Sequence, residues 1–396
     1  MAGSARATAA PLNGARIALT CSGLHHVRRG VETWSREAFA ALRERGVDAT
    51  LFAGSHEPGA QGRRGTEAVR VLSCIRRGSR LSDALSRRLP RGAWRAGFGS
   101  AYQMEQTTFA MSLLGRITHR FAILHTKDPQ VALIMQAAKR MGLSRAKVIL
   151  NHGTEEPAGF LKQFDYIQHL APVHVDEARA QGVQGKGQFA VPNFIDTERF
   201  SPGSGAALRA AHGIPADALV VLCVAAIKRH HKRIDWLLQE LVRVPAAGRP
   251  VHLLLVGART PETAALEQLG HELLGERLHV LVDQPRERMP DAYRAADLFV
   301  LCSLREMLAN ASLEALACGV PCLMHRDAVA AWAVGEGGVL LDMTAPGALA
   351  QAIAAAGQPE ARRALSGRAR AQAVSRFSKA SVIDQQLAMY EQVLRG

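Results

Sequence analysis

Glu306 and Glu314 stand eight residues apart in the stretch ADLFVLCSLREMLANASLEALACGVP (296–321). Leu298 to Cys302 reads as a strand that runs into a loop bearing Glu306. Asn310 reads as the N-cap of a short helix that Gly319 and Pro321 close, with Glu314 in its first turns. The amino end of such a helix offers unpaired backbone N–H groups and partial positive charge, which suit a diphosphate. Glu306 on the loop and Glu314 on the helix could then hydrogen-bond hydroxyls on either side of that anion. Spacing alone also admits a solvated loop glutamate and a first-turn glutamate stabilised by the helix dipole.

These residues need a scaffold, and the pattern of apolar runs supplies one. RIALT (16–20) is followed by a polar loop and a helix from Val31 to Arg45, with Val31, Trp34, Ala38, Ala41 and Leu42 on one face and Gly46 as its stop. LVVLCVAA (219–226) is followed by a basic loop and a helix through Trp236, Leu237 and Leu241. Further strand-like runs fall at 69–72, 121–125, 147–151, 251–256, 278–282 and 297–302, with helical segments between them. Apolar strands alternating with helices imply parallel sheets covered on both faces. Two such series predict an α/β chain of two facing, doubly wound Rossmann-like domains, with the main site in the cleft between them. The join falls near VPNFIDTERFSPG (191–203). The expected domains are residues 1–192 and 193–375, and a helical pattern closes the chain through Ile383, Leu387, Tyr390 and Leu394.

Five segments in this order resemble retaining glycosyltransferases of the large family four, which have the GT-B fold. SLREMLANASLEALACGVP resembles that family's Glu-x7-Glu signature, with the lead-in Ala295-Ala296-Asp297 to Ser303. RGVETWSREAFAALRERGVDATLF is similar to its first glycine loop and helix, and NHGTEEP (151–157) to its mid-domain histidine segment. VPNFIDTERFSP resembles the interdomain linker, and AAIKRHHKRIDWLLQEL the donor-phosphate loop. The resemblance implies that Glu306 touches the donor sugar, Glu314 the ribose hydroxyls, and Lys232 the diphosphate leaving group. It implies that the N–H of Gly30 meets the same phosphates, and that His152 lies on the acceptor side near the reacting sugar. Leu308, Ala309 and Asn310, at the amino end of the signature helix, join the donor-binding set. The final helix, residues 376–396, is expected to cross back to the first domain.

Breaking a sugar–phosphate bond builds negative charge on the departing phosphate and positive charge on the sugar. Fixed cations and helix-end N–H groups stabilise that state more than the ground state. The sequence holds no Asp-x-Asp pair to seat a metal, so Lys232, Lys228 and Arg229 are the expected source of positive charge, with neither metal nor cofactor. Without the resemblance, this basic cluster reads equally as a solvated loop or a nucleic-acid patch. His25, His26, His230 and His231 lie in the two loops expected at the cleft, without metal-ligand spacing. Three positions depart from the family pattern: Arg29-Gly30 replaces Gly-Gly, Ala226-Ile227 replaces Gly-Arg, and Glu306-Met307-Leu308-Ala309 replaces Glu-Gly-Phe-Gly. Lys228 is the candidate replacement for the missing arginine.

The formal charge of +14 is unevenly distributed. Residues 1–196 hold 27 Lys+Arg against 15 Asp+Glu, and the remainder 22 against 20, so an anionic surface or substrate is expected at the first half. From Arg63 to Arg95 there are ten arginines against Glu67 and Asp83, with Leu81, Leu85 and Leu89 at helical spacing and Trp94 beyond. This pattern reads either as a helix lying on an anionic membrane or as a basic surface helix packed on its own domain. A 5% aromatic content and the lack of a recognition motif argue against nucleic acid. The six cysteines lie in or beside apolar runs without a CxxC pair, which points to reduced core residues. The expectation is a cytoplasmic enzyme, peripheral on the inner face of the membrane, using a nucleotide sugar and an acceptor of unknown identity, with a lipid-linked one as a candidate. A non-catalytic nucleotide-sugar or membrane-binding relative, and another GT-B sugar-nucleotide enzyme such as an epimerase, are the alternatives.

Overall fold

The computed structural model describes residues 11–27, 30–56, 68–89, 92–117, 120–245 and 249–396. Arg29 lies outside the described residues, as do residues 63–67 and 90–91 of the basic stretch and the side chains of Trp94 and Arg95. The chain forms two compact units: residues 1–192 with 383–396, and residues 193–382.

The first unit is built on a seven-stranded sheet: β1 (Ile17–Cys21), β2 (Ala49–Ala53), β3 (Val69–Val71), β4 (Ile123–Thr126), β5 (Lys147–His152), β6 (Tyr166–His169) and β7 (Gly187–Ala190). Its order is β3-β2-β1-β4-β5-β6-β7, and every pairing is parallel. The second unit carries β8 (Leu219–Val224), β9 (Val251–Gly257), β10 (Leu278–Val282), β11 (Leu298–Leu301), β12 (Cys322–His325) and β13 (Gly338–Leu341), ordered β10-β9-β8-β11-β12-β13 and again all parallel. Parallel strands buried on both faces need continuous apolar runs, and IALTC, LVVLCV and VHLLLVG provide them. Beneath the first sheet Leu124, Val148 and Ile167 pack on Phe109, Leu113 and Met135. In the second, Val221, Leu253, Leu255 and Val300 pack on Leu237, Leu241 and Leu266.

In each sheet the strand order reverses beside the first strand of its series, between β1 and β4 and between β8 and β11. The crevice outside the carboxyl ends at such a reversal is where doubly wound sheets bind ligands. Both units reach this point by the same device. A Cβ on Gly54, just past β2, would lie 1.9 Å from the Ser22 carbonyl oxygen, and one on Gly257, ending β9, 1.7 Å from that of Ala225. Only glycine lets the loop after the first strand run so close.

The last helix, Lys379–Arg395, is tied to the first sheet by buried polar contacts. The Tyr390 hydroxyl is 2.7 Å from His125 Nδ1, and Lys147 Nζ donates to the carbonyls of Val393 and Leu394 at 2.9 and 3.0 Å. His125 is thereby part of the scaffold. Asp297, in the lead-in to the glutamate segment, accepts bonds from Val220 N and Arg209 Nη2, each at 2.9 Å, and pairs with Arg362. It fixes the start of β11 against β8. All six cysteines are free, five of them buried. Among the described residues no helix is long and apolar enough to cross a membrane.

Candidate functional site

In the second unit the loops that follow β8 and β11 meet at the strand-order reversal. The first is a tight turn. Lys232 N donates to the carbonyl two residues back, on His230, at 2.9 Å, and Arg233 N donates to Arg229 O at 2.8 Å. His231 and Arg233 take positive φ, 70° and 51°. Arg233 pins the turn by donating to Met343 O at 2.8 Å and by lying 4.7 Å over the Trp236 ring. Lys232 is thereby presented to Glu306 on the second loop, and the two form a close ion pair with both side chains mostly buried. His231 Nε2 lies 3.2 Å from the same carboxylate oxygen, Oε1. Lys228 is half-buried on the same turn and, unlike Lys232, is engaged by no carboxylate among the described residues. Ile227, where an arginine was noted as missing, is fully buried in the core.

The helix behind Glu306 spans Asn310–Ala317. Its N-cap is Ala309 rather than Asn310, with no side-chain cap. The expected capping role of Asn310 is corrected: its Oδ1 accepts from Asn193 Nδ2 at 2.9 Å, a partner 117 residues distant that no local pattern reveals. The helix therefore starts with backbone N–H groups that no side chain caps among the described residues, and Leu308 and Ala309 form its buried approach. Glu314 is 5% exposed and receives Arg286 Nη1 at 2.8 Å and the Tyr293 hydroxyl at 2.7 Å. Burial, then the Glu314 charge, pushes the Tyr293 hydroxyl far up, so it stays a donor. Sequence reasoning missed both partners. Arg286 follows β10, 28 residues before Glu314, and the tertiary fold around the β10-β9-β8-β11 order brings it beside the helix.

In the first unit Gly30 begins the helix Gly30–Glu44 after β1, and His152 ends β5. The environment of His152 fixes its ring. Gln188 Nε2 donates to Val183 O at 2.8 Å, so its Oε1 accepts from His169 Nε2 at 3.0 Å. Burial, and secondarily His152, hold His169 down at about 3, so it is neutral and accepts at Nδ1 from His152 Nδ1–H at 3.1 Å. The other nitrogen of His152 then faces Glu156 Oε2 at 3.3 Å. Burial alone would raise the Glu156 carboxyl, but contacts from His152 and Thr154 hold it below its ordinary value. His152 thus lies beside an ionised Glu156, and neither its Nε2 nor Glu156 Oε2 makes a hydrogen bond among the described residues.

Nearer β1, Glu105 is fully buried and accepts from Arg77 N at 2.8 Å, with Arg77 Nε at 3.1 Å and His26 Nε2 at 2.7 Å. Arg77 also reaches Glu32 at 3.2 Å. Among the described residues no group of three or more His, Cys, Asp or Glu side chains could hold a metal ion.

The helix Arg80–Arg88 exposes Arg80, Arg87 and Arg88. Leu81 is 55% exposed, and Leu85 and Leu89 are half-buried. Its fully buried residue is Ser82, whose backbone N–H is capped by Ser79 Oγ at 3.2 Å.

Residues 218–357, which carry Lys228, Lys232, Glu306 and Glu314, match the family profile described as Glycosyl transferases group 1. The chain is 35% identical over 219 residues to a D-inositol 3-phosphate glycosyltransferase of Segniliparus rotundus, covering 52% of this chain and 47% of that protein. It is 32% identical over 209 residues to that of Mycolicibacterium smegmatis, covering 50% and 46%. The chain thus spans about half the length of the curated relatives it matches. Among solved structures, a sucrose-phosphate synthase from Thermosynechococcus elongatus aligns over 96% of this chain and 99% of its own, with a TM-score of 0.76 at 20% identity. Anabaena HepE in complex with UDP and glucose aligns over 94% and 98%, with a TM-score of 0.69 at 16% identity. The fold is that of the GT-B glycosyltransferases.

Proposed function

We propose that this chain is a retaining glycosyltransferase that moves a sugar from a nucleoside diphosphate to an acceptor hydroxyl. The observation that carries the reading is the meeting of Lys232, Glu306 and an uncapped helix start at the strand-order reversal, with Glu314 buried behind them. A diphosphate on that helix start draws Lys232 toward the leaving oxygen, and Glu314 meets the ribose hydroxyls. The bond from the anomeric carbon to the phosphate oxygen breaks while the acceptor oxygen bonds to the same face of that carbon. The acceptor proton passes to the departing phosphate, so charge and atoms balance. Lys232 and Lys228 supply the positive charge in place of a metal. The family match over residues 218–357, and relatives named for glycosyl transfer, support this reading.

On the acceptor side the ionised Glu156, beside His152 and with Oε2 making no hydrogen bond among the described residues, offers an acceptor for a hydroxyl. The exposed arginines and leucine of the helix Arg80–Arg88 support peripheral contact with anionic lipid and an acceptor carried there. The test is thermal melting with UDP-glucose, UDP-N-acetylglucosamine and GDP-mannose in excess EDTA, followed by assay of released nucleoside diphosphate with candidate acceptors. A donor at a hundred times its Kd should stabilise by about 2.7 kcal/mol. No shift with any donor refutes the reading, binding without release leaves a non-catalytic relative, and release that returns only with added magnesium or manganese refutes the metal-free account.

A further inference from the structure

Lys232 is asked to do two things in that reaction, and one ammonium cannot do both at full strength. Before the donor arrives it neutralises Glu306, in a closely packed ion pair. Once a diphosphate is present, two negative charges compete for the same cation. A carboxylate that must stay in place to meet the sugar would then lose the group that orients it.

A second holder is already in position. Both His231 and Lys232 converge on one oxygen of Glu306, Oε1. Among the described residues no hydrogen bond or ion pair engages the other oxygen, Oε2. Bringing two consecutive side chains onto one atom requires an unusual backbone. His231 is the centre of a turn closed by the Lys232 N to His230 O bond, with φ at 70°. That is the conformation of a rare, strained three-residue turn, which a residue other than glycine adopts only when its surroundings enforce it. The enforcement is visible next door, where Arg233 is anchored on Met343 O and Trp236. His231 also remains 43% exposed, so the turn is not there to bury it.

We propose that His231 is a positioning residue for Glu306. It retains Oε1 when Lys232 turns to the diphosphate, and so keeps Oε2 directed at a hydroxyl of the donor sugar. This rests on the donor reading above and adds a role that the sequence motif does not assign. It yields a signature that separates the two neighbours. Loss of Lys232 weakens every ligand with a diphosphate, whereas loss of His231 weakens only ligands that carry the sugar.

The test compares each donor that binds the wild-type protein, among UDP-glucose, UDP-N-acetylglucosamine and GDP-mannose, with its parent diphosphate by calorimetry. His231→Gly removes the imidazole and relieves the backbone, so its melting temperature should equal or exceed that of wild type. Its affinity for the nucleotide sugar should fall about ten-fold, as for a lost bond to a charged group, with the parent diphosphate within about two-fold. His231→Asn tolerates positive φ and keeps an N–H donor, and should recover most of the loss. Lys232→Ala should weaken both ligands. An equal loss for sugar and parent diphosphate, no loss at all, or no recovery in His231→Asn overturns the assignment of His231 alone. If wild type binds none of the donors, the donor reading falls and this role falls with it.

Discussion

Lowering the pH should weaken the first unit, and the structure says by how much. His125 and His169 are both fully buried in the first sheet. Burial, with Lys127 adding to it, holds His125 down at about 3, and burial with His152 holds His169 there too. Unfolded histidine titrates near 6.5, so between that value and about 3 the unfolded chain binds more protons than the fold. Stability therefore falls as pH falls through this window. Going from pH 7 to pH 5 costs about 2 kcal/mol per site, or roughly 4 kcal/mol for the pair. Asp128 works in the opposite direction. Burial raises its carboxyl to about 6, so its folded form takes up a proton over the same interval and returns about 1 kcal/mol. The net loss is about 2–3 kcal/mol, which for a unit of this size lowers Tm by roughly 5–10 °C. The defect is also local. Gln386 Nε2 donates to the Tyr390 oxygen at 2.7 Å, which leaves the Tyr390 hydroxyl to donate to His125 Nδ1. A proton on Nδ1 opposes that bond and loosens the helix Lys379–Arg395. Hydrogen exchange at pH 7 and pH 5, corrected for intrinsic rates, should show β4 and residues 383–395 losing protection. His125→Asn should be weaker at pH 7 but show about half the pH dependence. Equal stability of the first unit at both pH values refutes the argument.

Other outcomes follow from single contacts. Glu306→Ala and Lys232→Ala should each cut donor turnover strongly while melting close to wild type, since both truncate loop side chains at the rim of the sheet; near-normal turnover in either variant removes that residue from the reaction. Glu240 is buried and accepts from the backbone N–H groups of Gly347, Leu349 and Ala350 at 2.8, 3.2 and 3.4 Å, so Glu240→Ala should destabilise the second unit by about 3 kcal/mol in urea titration. Changing Arg76, Arg87 and Arg88 to Glu should abolish salt-sensitive sedimentation with anionic liposomes and leave nucleotide affinity unchanged; equal recovery of the wild-type protein from anionic and neutral vesicles favours an acceptor free in solution.

The architecture was legible where burial is two-sided. LVVLCV and VHLLLVG can only be interior parallel strands, and both were read as strands. The reading omitted β6 and β7, whose sequences YIQH and GQFA carry mixed polarity, and β13, which forms the other edge of its sheet. Edge strands and short strands lack the continuous apolar run. The omissions of β2, ATLFA, and of the interior β12, CLMH, have no such excuse, because all five residues of the first and three of the four of the second are buried. At the site, the residue types were readable but their partners were not. Glu314 finds Arg286 and Tyr293 through strand order, and Asn310 turns from the expected capping role to Asn193. The leucine pattern left open whether Leu81, Leu85 and Leu89 face a membrane or their own domain; in the structure Leu81 stays exposed while Ser82, capped by Ser79, is buried.

The charge asymmetry gains a more specific meaning once the contacts are known. Both units use the same reversal of strand order and the same glycine at the close approach, so the scaffold does not distinguish them. Their loops do. At the second unit's reversal the cation Lys232 faces a single carboxylate, and Lys228 faces none among the described residues, which leaves positive charge to share with an anionic ligand. At the first unit's reversal Arg77 is already divided between Glu105 and Glu32, and His26 is held by the same Glu105. Among the described residues these two side chains are therefore already paired, and part of the excess of 27 basic over 15 acidic residues lies elsewhere. Arg76, Arg80, Arg87 and Arg88, all exposed, carry part of it on the outside. Excess charge on an outer helix acts over a Debye length on a large anionic surface, whereas charge within a loop acts on a bound group at contact distance. On the proposed function the two halves thus divide the electrostatic work by range, the second unit toward a diphosphate and the first toward a surface.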